Sequence, residues 1–149
     1  MTEQPYVSDE LRNRQGTQWA IGSFLIEKGM ITRFCRAVGD NNPRWQAVTD
    51  GEAPPTFVLT LGGEQFGELM QNSFPDGLLH GATDLETHLP VRPRDVIETS
   101  INLSNIRERR GAENKMNAFV IFNLTYQNQR SELVATCRQT MTAYETKDV

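Results

Sequence analysis

The chain has 149 residues, is 38% hydrophobic and carries a net charge of -4, with a pI near 5.2. Length and composition fit one domain with a single core, and the acidic balance excludes a nucleic-acid footprint. No run approaches the roughly 18 apolar residues needed to cross a bilayer, so no membrane span is predicted.

Residues 1–16 read as a flexible N-terminal arm. Met1–Arg14 is polar and charged, without the apolar stretch of a signal peptide. A single domain is expected over 17–149. Gln18–Ile26 is a short apolar segment, read as an edge strand carrying Trp19, Ile21 and Phe24. From Glu27 the period changes: Met30, Ile31, Phe34, Cys35 and Val38 follow helical spacing, and Gly39 ends the helix. Asp40–Asp50 is rich in turn formers, with Asn42-Pro43 as a breaker. Pro54-Pro55-Thr56 opens the longest helical pattern. Val58, Leu61, Gly62, Gln65, Phe66 and Leu69 fall on one face and predict a helix over 56–71. Gly62-Gly63 within it costs about 1 kcal/mol per glycine relative to alanine, tolerated where another backbone or a ligand comes close.

After the turn cluster Phe74-Pro75-Asp76-Gly77, strands are predicted at Leu78–Leu89, Asp95–Ile106, Lys115–Gln127 and Glu132–Tyr144. Ile97, Thr99, Ile101 and Leu103 alternate with Glu98, Ser100, Asn102 and Ser104; Met116 to Tyr126 repeats the pattern. Leu133, Ala135, Cys137, Met141 and Ala143 continue it. Turns at Arg110-Gly111 and Asn128–Ser131 join these strands into an antiparallel meander. A long helix followed by such strands must pack on one sheet face, which gives an α+β class.

Arg107, Arg109 and Arg110 are interrupted by Glu108; they read as a solvated hairpin tip or as a contact to a phosphate of a soluble cofactor. Cys35 and Cys137 read as buried thiols in a reducing cytoplasm, with a disulfide between them as the alternative. No metal-ligand cluster, nucleophile motif or phosphate-binding glycine loop is present, so neither metal nor cofactor is implied.

Four segments then carry a resemblance. They are Phe34-Cys-Arg-Ala-Val-Gly-Asp-Asn-Asn-Pro43, Ala53-Pro-Pro-Thr-Phe57, Leu79-His-Gly81 with Pro90-Val-Arg-Pro-Arg-Asp95, and Asn128-Gln-Arg-Ser-Glu-Leu-Val-Ala135. Together, in order over about 18–145, they resemble the N-terminal, non-catalytic type of MaoC-like dehydratase domain, as in (3R)-hydroxyacyl-carrier-protein dehydratase subunits. The resemblance implies a hot-dog fold, a curved antiparallel sheet wrapped around a long central helix. It also implies a lyase of fatty acid or lipid metabolism acting on an acyl-CoA or acyl-carrier-protein thioester.

Hydratases of this kind use Gly-Asp-x-Asn-Pro-x-His, where aspartate and histidine hold the water exchanged at the β-carbon. An amide at the start of the central helix serves the thioester oxygen. Here the segment is Gly39-Asp40-Asn41-Asn42-Pro43-Arg44-Trp45, with tryptophan, which transfers no proton, in the histidine position. The resemblance assigns Asp40 to catalysis, although capping of the following turn is the other reading of that residue. Asn42, Pro55, Thr56, Phe57 and Gly62 are assigned to substrate binding.

The expected assembly is a homodimer, or a heterodimer with a catalytic MaoC-type subunit, in which this chain widens the acyl tunnel. The alternatives are a self-sufficient hydratase, a non-catalytic thioester-binding protein, and a thioesterase using Glu64 or Glu68. His80 and His88 are the two histidines; both read as structural or surface residues, with His88 placed to approach a pocket mouth.

Overall fold

The computed structural model describes residues 6–46, 51–74 and 77–146. Residues 1–5 of the expected arm, 47–50 of the turn-rich segment, Pro75-Asp76 of the turn cluster and 147–149 of the expected domain lie outside them.

Alternation of apolar and polar residues puts one face of each of the three central strands into the core. β1 (Gln18–Leu25), β2 (Gly77–Thr87), β3 (Val96–Arg110), β4 (Met116–Gln127) and β5 (Leu133–Tyr144) form one sheet in the order β1-β3-β4-β5-β2, every pair antiparallel. β1 and β2 are the two edges of this curved sheet. Ile97, Thr99, Ile101 and Leu103 point inward from β3, as do Ala118, Val120, Phe122, Leu124 and Tyr126 from β4. On β5, Val134 and Ala135 are buried while Leu133, expected inside, is exposed, because the ladder shifts register beside Gln127. Each large apolar side chain fully buried here contributes about 1.5–3 kcal/mol.

A second register shift between Leu103 and Asn105 turns the last part of β3 over. Arg107 and Arg109 therefore face outward, with the Arg109 guanidinium 5.5 Å from the Phe119 ring centroid. Arg110 donates to the Asn114 carbonyl at 3.0 Å. The basic cluster thus belongs to the end of a strand that runs four residues beyond its expected limit, to Arg110.

Glu108 points the other way and ties down residues 6–16. It accepts from the Val7 amide at 3.0 Å and pairs with Arg12. Ser8 caps α1 (Asp9–Asn13) by accepting from the Leu11 amide at 3.3 Å. Val7 and Leu11 are buried in the core. The described part of the expected loose arm is therefore a docked helical turn, because two apolar side chains four residues apart cover the end of the sheet.

α2 (Lys28–Val38) follows β1 and buries Ile31 and Cys35; Gly39 ends it in the left-handed region at φ 71°. The helix expected over 56–71 is instead two pieces. Pro55–Thr60 is a 3-10 helix burying Phe57 and Val58, and α4 (Gly63–Ser73) follows it, a short α3 (Pro43–Gln46) lying earlier in the chain. Gly62 separates them at φ 85°. A Cβ there would stand 2.8 Å from Ile21 Cδ1, so close packing against β1 explains the glycine. The Phe66 ring meets Phe122 edge-on at 5.2 Å, seating α4 on the inner face of the sheet. Cys35 and Cys137 are buried free thiols, and burial raises both above the usual thiol value. Among the described residues no helix is long and apolar enough to cross a membrane.

Candidate functional site

The loop after α2 builds itself from short polar side chains. Asp40 Oδ1 accepts from the Asn42 amide at 3.0 Å, and Asn42 Oδ1 accepts from the Arg44 amide at 3.0 Å. These bonds and Pro43 at the first helical position start α3. One turn on, Trp45 Nε1 donates to Asp40 Oδ2 at 2.8 Å. Both oxygens of Asp40 are thus occupied, one by a backbone amide and one by an indole. The two sequence readings of Asp40 meet here: it fixes the loop, and it faces the position where the resemblance expects an imidazole.

Beside Trp45 lies a pocket of about 170 Å³, walled by Pro54, Pro55, Val58, Leu89, Val91 and Val134, with Thr87, His88, Arg44 and Glu52 at its polar side. Glu52 joins two loops across it. Arg44 Nε and Arg92 Nη2 donate to its two carboxylate oxygens at 2.9 and 3.2 Å. The Glu52 side chain is 16% exposed against 65% for Arg44 and 56% for Arg92. Desolvation works to raise the Glu52 carboxyl, but the hydrogen bonds and charges of both guanidinium groups outweigh it and hold the carboxyl below its usual range.

His88 lines this pocket. Its amide donates to the Val134 carbonyl at 2.8 Å, and its Nε2 lies 4.0 Å from Glu86 Oε1. His80 is elsewhere, with Nε2 at 2.7 Å from Thr83 Oγ1 and 2.9 Å from Gln139 Oε1.

Of the substrate-binding residues read from sequence, Pro55 lines the pocket. Asn42 caps α3 and is exposed; Thr56 is exposed on the 3-10 helix; Phe57 is buried edge-on to Phe34, ring centroids 5.7 Å apart. Gly62 packs on Ile21, so the amino end of α4 is turned to β1 and contributes nothing to the pocket wall. Glu64 and Glu68 lie exposed on α4. Asp40 lines a second space, an outer groove of about 400 Å³ shared with Lys28, Thr32, Cys35, Arg36 and Trp45.

Sequence reasoning missed Glu52 and Val134 as lining residues and Arg92 as the partner of Glu52, although the last two sit inside segments that carry the resemblance. The structure brings those segments together. Asp95 Oδ2 accepts from the Arg92 amide at 2.8 Å, and Gln129 reaches back to Asp95 at 3.2 Å and to the Val96 amide at 3.0 Å. Ala53 donates its amide to the Val91 carbonyl at 2.7 Å. Residues 44–45, 52–55, 87–91, Val58 and Val134 therefore share one pocket, where apolar side chains stand beside a carboxylate, an imidazole and the Arg44 guanidinium. Such a slot suits an apolar chain attached to a polar head.

No curated protein matches the chain in sequence. Among solved structures, the chain is similar to the C-terminally truncated HadBC (3R-hydroxyacyl-ACP dehydratase) complex from Mycobacterium tuberculosis. The TM-score is 0.71 at 20% identity, covering 87% of this chain and 97% of that one. Similarity to the ChsH1-ChsH2 complex from the same organism has a TM-score of 0.66 at 14% identity, covering 90% and 86%. For the (R)-hydratase from A. caviae involved in PHA biosynthesis the values are 0.67 and 14%, covering 85% and 94%. These likenesses establish the hot-dog fold. The family model described as "FAS1-like, dehydratase domain region" matches residues 13–137, and the chain belongs to that family of MaoC-like hot-dog dehydratases.

Proposed function

We propose that the chain is the acyl-binding subunit of a (3R)-hydroxyacyl-thioester dehydratase or enoyl-thioester hydratase, paired with a second hot-dog subunit that supplies proton transfer. The observation that carries this reading is the bond from Trp45 Nε1 to Asp40 Oδ2 at 2.8 Å. Hydration of an enoyl thioester needs one group to take a proton from water as its oxygen attacks the β-carbon, and a proton delivered to the α-carbon. Here the carboxylate stands in place, but the group beside it does not titrate. The pocket next to it, with Val58, Leu89, Val91 and Val134 in its wall, remains suited to an acyl chain. Two fold neighbours are two-subunit complexes by name, which supports a heteromeric arrangement. The buried free thiols fit the cytoplasm as the compartment.

His88 favours a second reading. It borders the same pocket within 4.0 Å of the Glu86 carboxylate, an imidazole–carboxylate pair that would make the chain a hydratase in its own right.

One assay separates the two. The purified chain is tested for hydration of crotonyl-CoA and longer enoyl-CoA thioesters, alone and with a subunit bearing an intact Gly-Asp-x-Asn-Pro-x-His segment. Activity only in the mixture is the expected result. Activity from the chain alone, abolished in His88→Gln, would replace the first reading with the second; activity alone that survives His88→Gln would refute both.

A further inference from the structure

Among the described residues, Trp45 lines both the pocket of about 170 Å³ and the outer groove of about 400 Å³. No other residue is common to their walls. It is also held in place. Its indole N–H is bonded to Asp40 at 2.8 Å, its backbone amide to the Asn42 carbonyl at 3.1 Å, and the Arg44 guanidinium stands 5.4 Å from its ring centroid. Such a ring does not swing freely between rotamers.

The inner pocket alone holds the volume of about five or six waters at ~30 Å³ each. That is below the ~300–1,000 Å³ of most ligand sites, whereas the two spaces joined fall within that range. The inner walls are apolar at Val58, Leu89, Val91 and Val134. The groove adds the buried Cys35 beside the polar Asp40 and Asn41.

We propose that Trp45 is the wall that sets the acyl-chain length this subunit accepts. A short acyl group fills the inner pocket and stops at the indole; removing the ring opens a path into the groove. The inference rests on the acyl-thioester reading above. It also reassigns Asp40 as a positioning residue, whose carboxylate holds the wall.

The test is calorimetric titration of saturated butyryl-, octanoyl- and dodecanoyl-CoA, which do not turn over, into wild type, Trp45→Ala and Trp45→Phe. Wild-type affinity should stop rising at the short end of the series. Trp45→Ala should keep gaining, by up to about fourfold per added methylene. Trp45→Phe, which keeps an aromatic ring but loses the bond to Asp40, should fall between the two. Trp45→Leu carries the comparison if Trp45→Ala does not fold by circular dichroism. A dodecanoyl thioester bound equally well by wild type and Trp45→Ala overturns the wall and leaves the acyl reading standing. No thioester binding by any of the proteins overturns both.

Discussion

Glu52 offers a measurement that isolates one charge. Glu52→Gln keeps the side-chain shape but turns an amide NH₂ toward one of the two arginines. Hydrogen bonds to charged groups contribute about 1.5–3 kcal/mol when covered, and exposed ion pairs about 0–1. Glu52 is 16% exposed, but its partners are 65% and 56% exposed and stay hydrated without it. The discounted cost is therefore about 1–2 kcal/mol at pH 7, or roughly 3–6 °C in Tm for a chain of this size.

The pH dependence fixes the origin of that difference. The folded Glu52 carboxyl is held below its ordinary value of 4.5. The stability it contributes is fully present above that value and is lost as pH falls through the folded one. Glutamine does not titrate, and the other carboxylates are common to both proteins. Thermal unfolding followed by circular dichroism should show a constant Tm gap from pH 7 to about pH 5.5, narrowing below about 4.5. A gap as wide at pH 3 as at pH 7 would refute the electrostatic argument, and no gap at pH 7 would refute the clamp.

Two further substitutions test the packing around the site. Thr99 is fully buried and its Oγ1 has no hydrogen-bond partner. Thr99→Val should therefore raise stability by about 1 kcal/mol, read as an increase in the denaturant midpoint at unchanged m-value. Gly62→Ala places a Cβ at a φ of 85° and 2.8 Å from Ile21 Cδ1. It should cost about 1–2 kcal/mol from the backbone alone, and pairing it with Ile21→Val should recover only the steric part.

Sequence patterning made the sheet legible because period-2 burial is local: each core strand is read from its own residues. Helix boundaries were less so. The spacing of Val58, Leu61, Phe66 and Leu69 looks continuous, yet Gly62 divides it, and the reason is Ile21, forty-one positions away. Residues 1–16 read as an arm because nothing local announces the strand end near Glu108 on which Val7 and Leu11 dock. At the site, Asp40 and Trp45 were readable, being five residues apart in one loop. Glu52 was not, because nothing in Gly51-Glu52-Ala53 announces that Arg44 and Arg92 converge there; only the folded chain supplies that geometry.

Among the described residues β2 ends the sheet with β5 as its one neighbouring strand, and Leu79 on it is 57% exposed. An open ladder of this length is a template for another strand. A second copy pairing at that edge would make the melting temperature a function of protein concentration, because such pairing adds mass-action stability to the folded state. A melting temperature that rises on a dilution series run from low to high concentration would reveal that pairing, and one that stays constant would show the edge unused.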